Sequence, residues 1–254
     1  AWCWKAGGTA VSNTDGSITS SVSANAAYGF SIATYTGTGS GTQSVGHGLS
    51  SVPALVITKS RGATGSWRVF ADIGGTYKIG NLNNTDAFTN ASVSAPTSSV
   101  FNVDGNSNAS TTHVAYCFAN VPGYQRIGTY TGNGSSTGPV IMTGFKPRFV
   151  IYFDTAGGSS WEIVDSERGG SARLFTDSSG SESTSQTAIE FLPNGFQPKA
   201  SYGGNNESGK TYIYLAIGDD EIGSDEDCLV DVPNAVTADA DATDTTGGYQ
   251  RGNY

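Results

Sequence analysis

Apolar residues come in short runs along this chain, separated by clusters of Gly, Ser, Asn and Thr. Leu55-Val56-Ile57 and Phe149-Val150-Ile151 are continuous apolar stretches, which predicts strands covered on both faces. Trp67 and Val69 flank Arg68, and Trp161 and Ile163 flank Glu162, so these runs alternate as strands with one buried and one wet face. Pro53 and Pro147 open their runs, where a missing N–H costs least. The one helical candidate is a short stretch at residues 187–192. Short strands joined by Gly-rich turns predict an all-β sandwich or jelly roll.

The runs repeat in a fixed order. Ile32-Ala33-Thr34-Tyr35-Thr36-Gly37 matches Ile127-Gly128-Thr129-Tyr130-Thr131-Gly132, 95 positions on. Pro53 to Ile57 matches Pro147 to Ile151, and Trp67-Arg68-Val69-Phe70 matches Trp161-Glu162-Ile163-Val164, both at 94. Val100-Phe101 then matches Gly195-Phe196, and Val114 to Phe118 matches Ile213 to Ile217. A nearly constant offset marks one structural unit used twice. The predicted organisation is two tandem, sequence-related, jelly-roll-like β-sandwich modules with a pseudo-two-fold repeat. Residues 1–29 form an N-terminal strand and linker continuing an upstream domain, since Ala1 to Ala6 resembles the closing run Ala115 to Ala119. The sandwiches occupy 30–122 and 123–218, and 219–254 is an acidic linker towards a downstream domain. Trp67, Trp161, Tyr35 and Tyr130, matched across the copies, are the expected core anchors.

Charge changes the picture only at the C-terminal end. Asp219, Asp220, Glu221, Asp225, Glu226, Asp227, Asp231, Asp239, Asp241 and Asp244 fall in a stretch without Lys or Arg, leaving 12 acids against 13 bases elsewhere. A near-neutral body with an acidic tail excludes the clustered Lys and Arg of a nucleic-acid surface. No run approaches the ~20 apolar residues of a membrane helix, so no membrane insertion is expected. Cys3, Cys117 and Cys228 have neither zinc nor CxxC spacing. No disulfide is expected, and Cys3 and Cys117 read as small buried apolar groups.

Several segments together are familiar. Trp2-Cys3-Trp4-Lys5-Ala6-Gly7-Gly8, Gly29-Phe30-Ser31-Ile32, Tyr35-Thr36-Gly37 and Gly46-His47-Gly48-Leu49 before Pro53 carry the likeness in the first half. Val121-Pro122-Gly123-Tyr124, Gly128 to Gly134, Gly144-Phe145-Lys146-Pro147 and Asn194-Gly195-Phe196 carry it in the second. The chain resembles a domain of unknown function found in tail-fibre-like and other virion structural proteins of phages, marine and cyanobacterial ones among them. The resemblance covers roughly residues 1–218. It implies a place on a virion surface, with no catalytic residues to carry over.

Candidate chemistry is sparse. Gly204-Asn205-Asn206-Glu207-Ser208-Gly209-Lys210-Thr211 matches the phosphate-loop pattern. A strand-like run follows it, whereas phosphate binding needs a helix N-terminus, so a hairpin loop with a dispensable Lys210 is expected. Asp104-Gly105-Asn106-Ser107-Asn108 starts like a calcium loop, but Ala109 and Ala115 stand where Gly and Glu are needed. His47 and His113, the only histidines, read as structural or surface residues. Asp154, Glu162, Asp165 and Glu167 cluster around Trp161 as a glycan-cleaving pair would, but read better as surface acids at strand ends. Tyr77, Tyr124, Tyr202 and Tyr249 are candidate glycan-stacking aromatics. Asp219, Asp220, Asp225 and Asp227 are weak calcium candidates, and no cofactor is expected.

The expected function is therefore a non-enzymatic structural or adhesion module on a virion surface, in a fibre, appendage or capsid decoration. Expected partners are other virion proteins, further copies of the chain (a trimer in a fibre) and host cell-surface polysaccharide. The alternatives are a carbohydrate-binding module of a bacterial surface protein and a glycan depolymerase.

Overall fold

The computed structural model describes Cys3, Trp4 and residues 6–219. Residues 1–218 cluster as one unit. Among the described residues the only helical element is a 3-10 turn, Gly105–Ser107, and the rest of the regular structure is antiparallel sheet. Residues 187–192, expected as a helix, instead supply strand β16. Phe191 faces Phe196 across its hairpin, and such cross-strand aromatic pairing outweighs a weak helical pattern.

The strands in chain order are β1 (Val11–Asn13), β2 (Ser20–Asn25), β3 (Phe30–Thr36), β4 (Gln43–Gly46), β5 (Pro53–Ser60), β6 (Arg68–Ile73), β7 (Thr76–Asn81), β8 (Thr89–Asn90), β9 (Val100–Val103) and β10 (Thr112–Ala119). The second half continues with β11 (Gln125–Thr131), β12 (Ile141–Met142), β13 (Phe149–Asp154), β14 (Glu162–Asp165), β15 (Arg173–Phe175), β16 (Ile189–Leu192), β17 (Gly195–Pro198) and β18 (Thr211–Ile217). The largest sheet has the order β1-β2-β3-β10-β5-β6-β7-β8, and the second half's large sheet is β11-β18-β13-β14-β15. Smaller sheets are β4-β9 and β12-β17-β16. The five strands β3-β10-β5-β6-β7 thus have the same chain-order pattern as β11-β18-β13-β14-β15.

Each half buries a core between its large and small sheets. In the first half Ala33, Tyr35, Val56, Phe70, Ala115 and Cys117 pack with Val45, Phe101 and Val103. In the second, Tyr130, Val150, Val164, Tyr212 and Ala216 pack with Ile141, Ile189 and Phe196. Side chains alternate along a strand, so Leu55, Ile57, Val69, Phe149, Ile151 and Ile163 point to the opposite face of each large sheet. Both of its faces are apolar, which is why the sequence runs are continuous.

Residues 1–29, expected as a lead-in strand and linker, are part of the first sheet from Val11 onward. β2 pairs along β3 from Ser20↔Tyr35 to Asn25↔Phe30, and β1 pairs with β2. Their small polar and apolar residues carry too little hydrophobicity to announce strands, yet Val22 is buried in the core.

Candidate functional site

The outer faces of the two large sheets meet. Between them lies a cavity of about 470 Å³, lined by Ile57, Val69 and Phe118 from one half and Phe149, Ile151 and Leu215 from the other, with further apolar neighbours. Trp4 stands edge-on to Phe118 and Phe149, its ring centre 6.2 and 5.5 Å from theirs. Trp67 stacks on Tyr116 at 6.2 Å. The hydroxyl of Thr176, also in the lining, donates to the Leu82 carbonyl. The lining is mostly apolar and holds no carboxylate, histidine, lysine or arginine; its polar groups are those of Cys3, Tyr116, Thr176 and the tryptophan indoles.

Around the cavity the halves are joined by directional contacts. Phe88 N–H donates to Thr155 O at 3.0 Å and Gly158 N–H to Thr85 O at 2.8 Å. Trp161 Nε1 donates to Asn81 O at 2.9 Å. Phe88 inserts its ring against Phe153 and Trp161, at 5.9 and 6.1 Å. Gly157, at φ +80°, lies so close that a Cβ there would fall 2.5 Å from Ala87 N.

A buried polar network lies at one end of the second half's core. Tyr152 and Tyr202 hydroxyls each donate to Glu162 Oε2 at 2.6 Å, and Arg173 Nη1 approaches the same oxygen at 3.4 Å. Asn205 Nδ2 donates to Tyr152 Oη at 3.1 Å. Burial pushes the Glu162 carboxyl above its ordinary value, while the tyrosine hydroxyls and Arg173 pull against that rise. Asp154, fully buried, accepts from Lys210 Nζ at 2.8 Å, and Lys210 also meets Glu207 at 3.0 Å. Asp165, also buried, pairs with Arg168 at 2.6 Å. Three of the four acids expected at the surface are therefore interior, each satisfied by its own cation. Only Glu167 is exposed, paired with Arg148.

Among its described residues the first half has no such network. Thr58 bonds Ser107 at 2.8 Å where Tyr152 meets Asn205, and Arg68 stands in place of Glu162. The signal available in the sequence was this mismatch, with the short Thr58–Ser107 pair of one copy replaced by Tyr152 and Asn205, and Arg68 by Glu162, in the other.

The anchors expected from the repeat sit at matched places. Tyr35 Oη donates to Ser107 O at 2.7 Å, and Tyr130 Oη to Asn205 O at 2.8 Å. Tyr35, Tyr130 and Trp161 are buried. Trp67 is only half-buried. Each tryptophan immediately precedes its strand and lines the junction, but the Phe88 ring covers Trp161, and Trp67 has Tyr116 on one face.

None of the described glycan-stacking candidates is an exposed platform. Tyr124 is buried, Tyr77 is half-buried beside Phe70, and Tyr202 spends its hydroxyl on Glu162. Tyr249 and the metal candidates Asp220, Asp225 and Asp227 lie outside the described residues, as does Cys228. Asp219 is exposed. Among the described residues no group of three His, Cys, Asp or Glu side chains is placed to hold a metal.

Both histidines are buried. His47 Nδ1 accepts from Leu49 N–H at 3.1 Å, so Nε2 donates to Thr97 O, also at 3.1 Å. Burial lowers its proton affinity. His113 stacks on Tyr35. Cys117 is buried, whereas Cys3, expected inside, is exposed, and both are free thiols. The phosphate-loop match runs directly into β18. Its Asn206 ties down the Gly132–Ser135 turn, as Asn108 ties down Thr38 to Gly41 in the first half.

No curated protein and no solved structure matches the chain. A domain-family match runs over residues 1–220, which include both halves, the junction and the buried network, and by it the chain belongs to the family described as a domain of unknown function (DUF7483).

Proposed function

We propose that the chain is a non-enzymatic structural and adhesion module of a phage virion surface, part of a fibre, appendage or capsid decoration. In this reading its halves, 30–122 and 123–218, are copies of one jelly-roll-like sandwich. The observation that carries it is the junction. Backbone bonds at 3.0 and 2.8 Å and the Trp161–Asn81 bond fix one half against the other around packed aromatic rings. A tandem unit held this way presents its ends in a constant orientation, as a spacer in a large assembly requires. The shared strand order and the paired Tyr35–Ser107 and Tyr130–Asn205 bonds support the duplication. Other virion proteins, further copies of the chain and host polysaccharide are the partners this reading calls for.

A depolymerase would need two carboxyls about 5–10 Å apart across an open cleft. Asp154, Glu162 and Asp165 are instead interior and ion-paired, which weighs against that alternative. The test is immunogold labelling of phage particles from the chain's source with antibodies raised against the purified chain. Gold on the particle surface is expected. Antigen confined to the bacterial envelope would overturn the virion assignment, and shortening of host polysaccharide by the purified chain would overturn the non-enzymatic one.

A further inference from the structure

The two halves differ at one sheet edge. In the first half β3 is covered on its outer side by β2, with Ser21 opposite Thr34 and Ser23 opposite Ile32. Thr129 and Ile127 are the counterparts of Thr34 and Ile32, by the match of Tyr130 to Tyr35. Yet among the described residues β11 ends its sheet, with β18 as its one neighbour.

Which backbone groups face outward follows from the ladder. Gly132 N–H reaches across to Lys210 O at 2.9 Å. Ile127 N–H turns the other way, to the Asn120 side chain at 2.7 Å. Groups alternate in an antiparallel strand, so Thr129 and Thr131 direct their N–H and C=O away from β18, as Ile127 directs its C=O. The side chains of Thr129 and Thr131 are exposed. The first half cannot supply a counterpart of β2, because residues 120–124 turn straight from β10 into β11, closed by paired bonds between Val121 and Gln125, both 2.9 Å.

Beside this edge runs a groove of about 600 Å³. Its lining includes Ile127 to Thr129 and Asn120 together with Val52, Pro53, Asp72, Tyr77 and Pro96. Val52 is 53% exposed there. A row of free N–H and C=O groups next to a groove with apolar side chains on its wall is the arrangement that accepts an added strand. Neither of the described edge threonines is replaced by the charge or proline that usually blunts such an edge.

We infer that the outer edge of β11 is a docking site for an extended strand of another polypeptide chain, one whose side chains alternate small apolar and hydroxyl groups as Ser20–Asn25 do. The chemistry follows from β2, whose Ser21 and Ser23 meet the counterpart residues while Val22 is buried on the opposite face.

The test uses the full chain and a fluorescein-labelled peptide carrying the sequence of residues 18–27, followed by anisotropy. Saturable binding is expected. N-methylation of the peptide amides that face β11 should weaken it about tenfold for each bond left unmade, and methylation of the opposite amides should not. Thr129→Pro removes an edge N–H and should weaken binding comparably, while Thr129→Val, which keeps it, should not. The amides of Thr129 and Thr131 should exchange rapidly in the free chain and slowly with peptide bound. Absence of binding, or equal binding by both methylated peptides, would overturn the inference. So would slow exchange of these amides in the free chain at every chain concentration, since another part of the same chain would then cover the edge.

Discussion

Trp161 of the second half donates its indole N–H to the backbone carbonyl of Asn81 in the first, at 2.9 Å. Its ring stacks on Phe153 at 4.7 Å and meets Phe88 from the other side of the junction. It is a core residue and a fastener at once. Trp161→Ala should cost about 3–5 kcal/mol, as for other large buried aromatics. Trp67→Ala should cost roughly half that, because Trp67 is half-buried and packs against Tyr116 on one face. Denaturant melts of the two variants provide the comparison, and equal losses would mean that both sites are packed alike.

Gly157 tests the junction directly. Its φ of +80° and its approach to Ala87 leave no room for a side chain. Gly157→Val should push the 85–87 segment away and wet the apolar faces around the cavity, with each half's own core left intact. The expected result is increased binding of a hydrophobic dye such as anilinonaphthalene sulfonate together with near-native circular dichroism. An unchanged dye signal would show that the junction tolerates the strain.

These variants also mark what the sequence could tell. The large sheets were legible because Leu55-Val56-Ile57 and Phe149-Val150-Ile151 declare double-sided burial at a constant offset. What covers their second face was not legible, because that is the other copy. The buried acids were misread for a related reason. Asp154 is neutralised by Lys210, 56 positions away, and Glu162 accepts a hydrogen bond from Tyr202, 40 positions away. An isolated carboxylate in a Ser- and Gly-rich chain reads as solvated until those loops are placed. β1 and β2 stayed hidden because small polar residues dominate them.

The loop is the hairpin that the sequence suggested, running straight into β18, but Lys210, expected to be dispensable, has a structural partner. Its Nζ is the cation facing a fully buried carboxylate, Asp154. Lys210→Ala leaves that carboxylate without its partner. Breaking a buried pair costs about 3–5 kcal/mol, but Lys210 is 29% exposed, so solvent screening reduces the expected loss to about 1–3 kcal/mol. The double variant Asp154→Asn/Lys210→Met should recover much of the stability in the same unfolding assay. A Lys210→Ala variant as stable as the parent would mean that water replaces the ammonium without penalty.

Acid should act on the two halves in opposite directions. His47 in the first half is buried, and burial lowers its pKa from 6.5 against the opposing pull of its bond to the Thr97 carbonyl and of Asp15, while Leu49 N–H bonds the unprotonated Nδ1. A depressed folded value means that its contribution is complete above pH 6.5 and is lost as pH falls through the lower folded value. Glu162 in the second half has its pKa raised from 4.5, chiefly by burial. Its contribution is complete below pH 4.5 and is lost as pH rises through the higher folded value. Between pH 6.5 and pH 4.5 the first half therefore weakens while the second gains. Native-state hydrogen exchange read at Val56 and Val150, matched core positions in β5 and β13, should show protection falling at Val56 relative to Val150 as pH drops, after correction for intrinsic exchange. His47→Gln should remove the loss in the first half, and Glu162→Gln the gain in the second. Parallel loss at both positions, unaffected by either substitution, would show that the acid response comes from other groups.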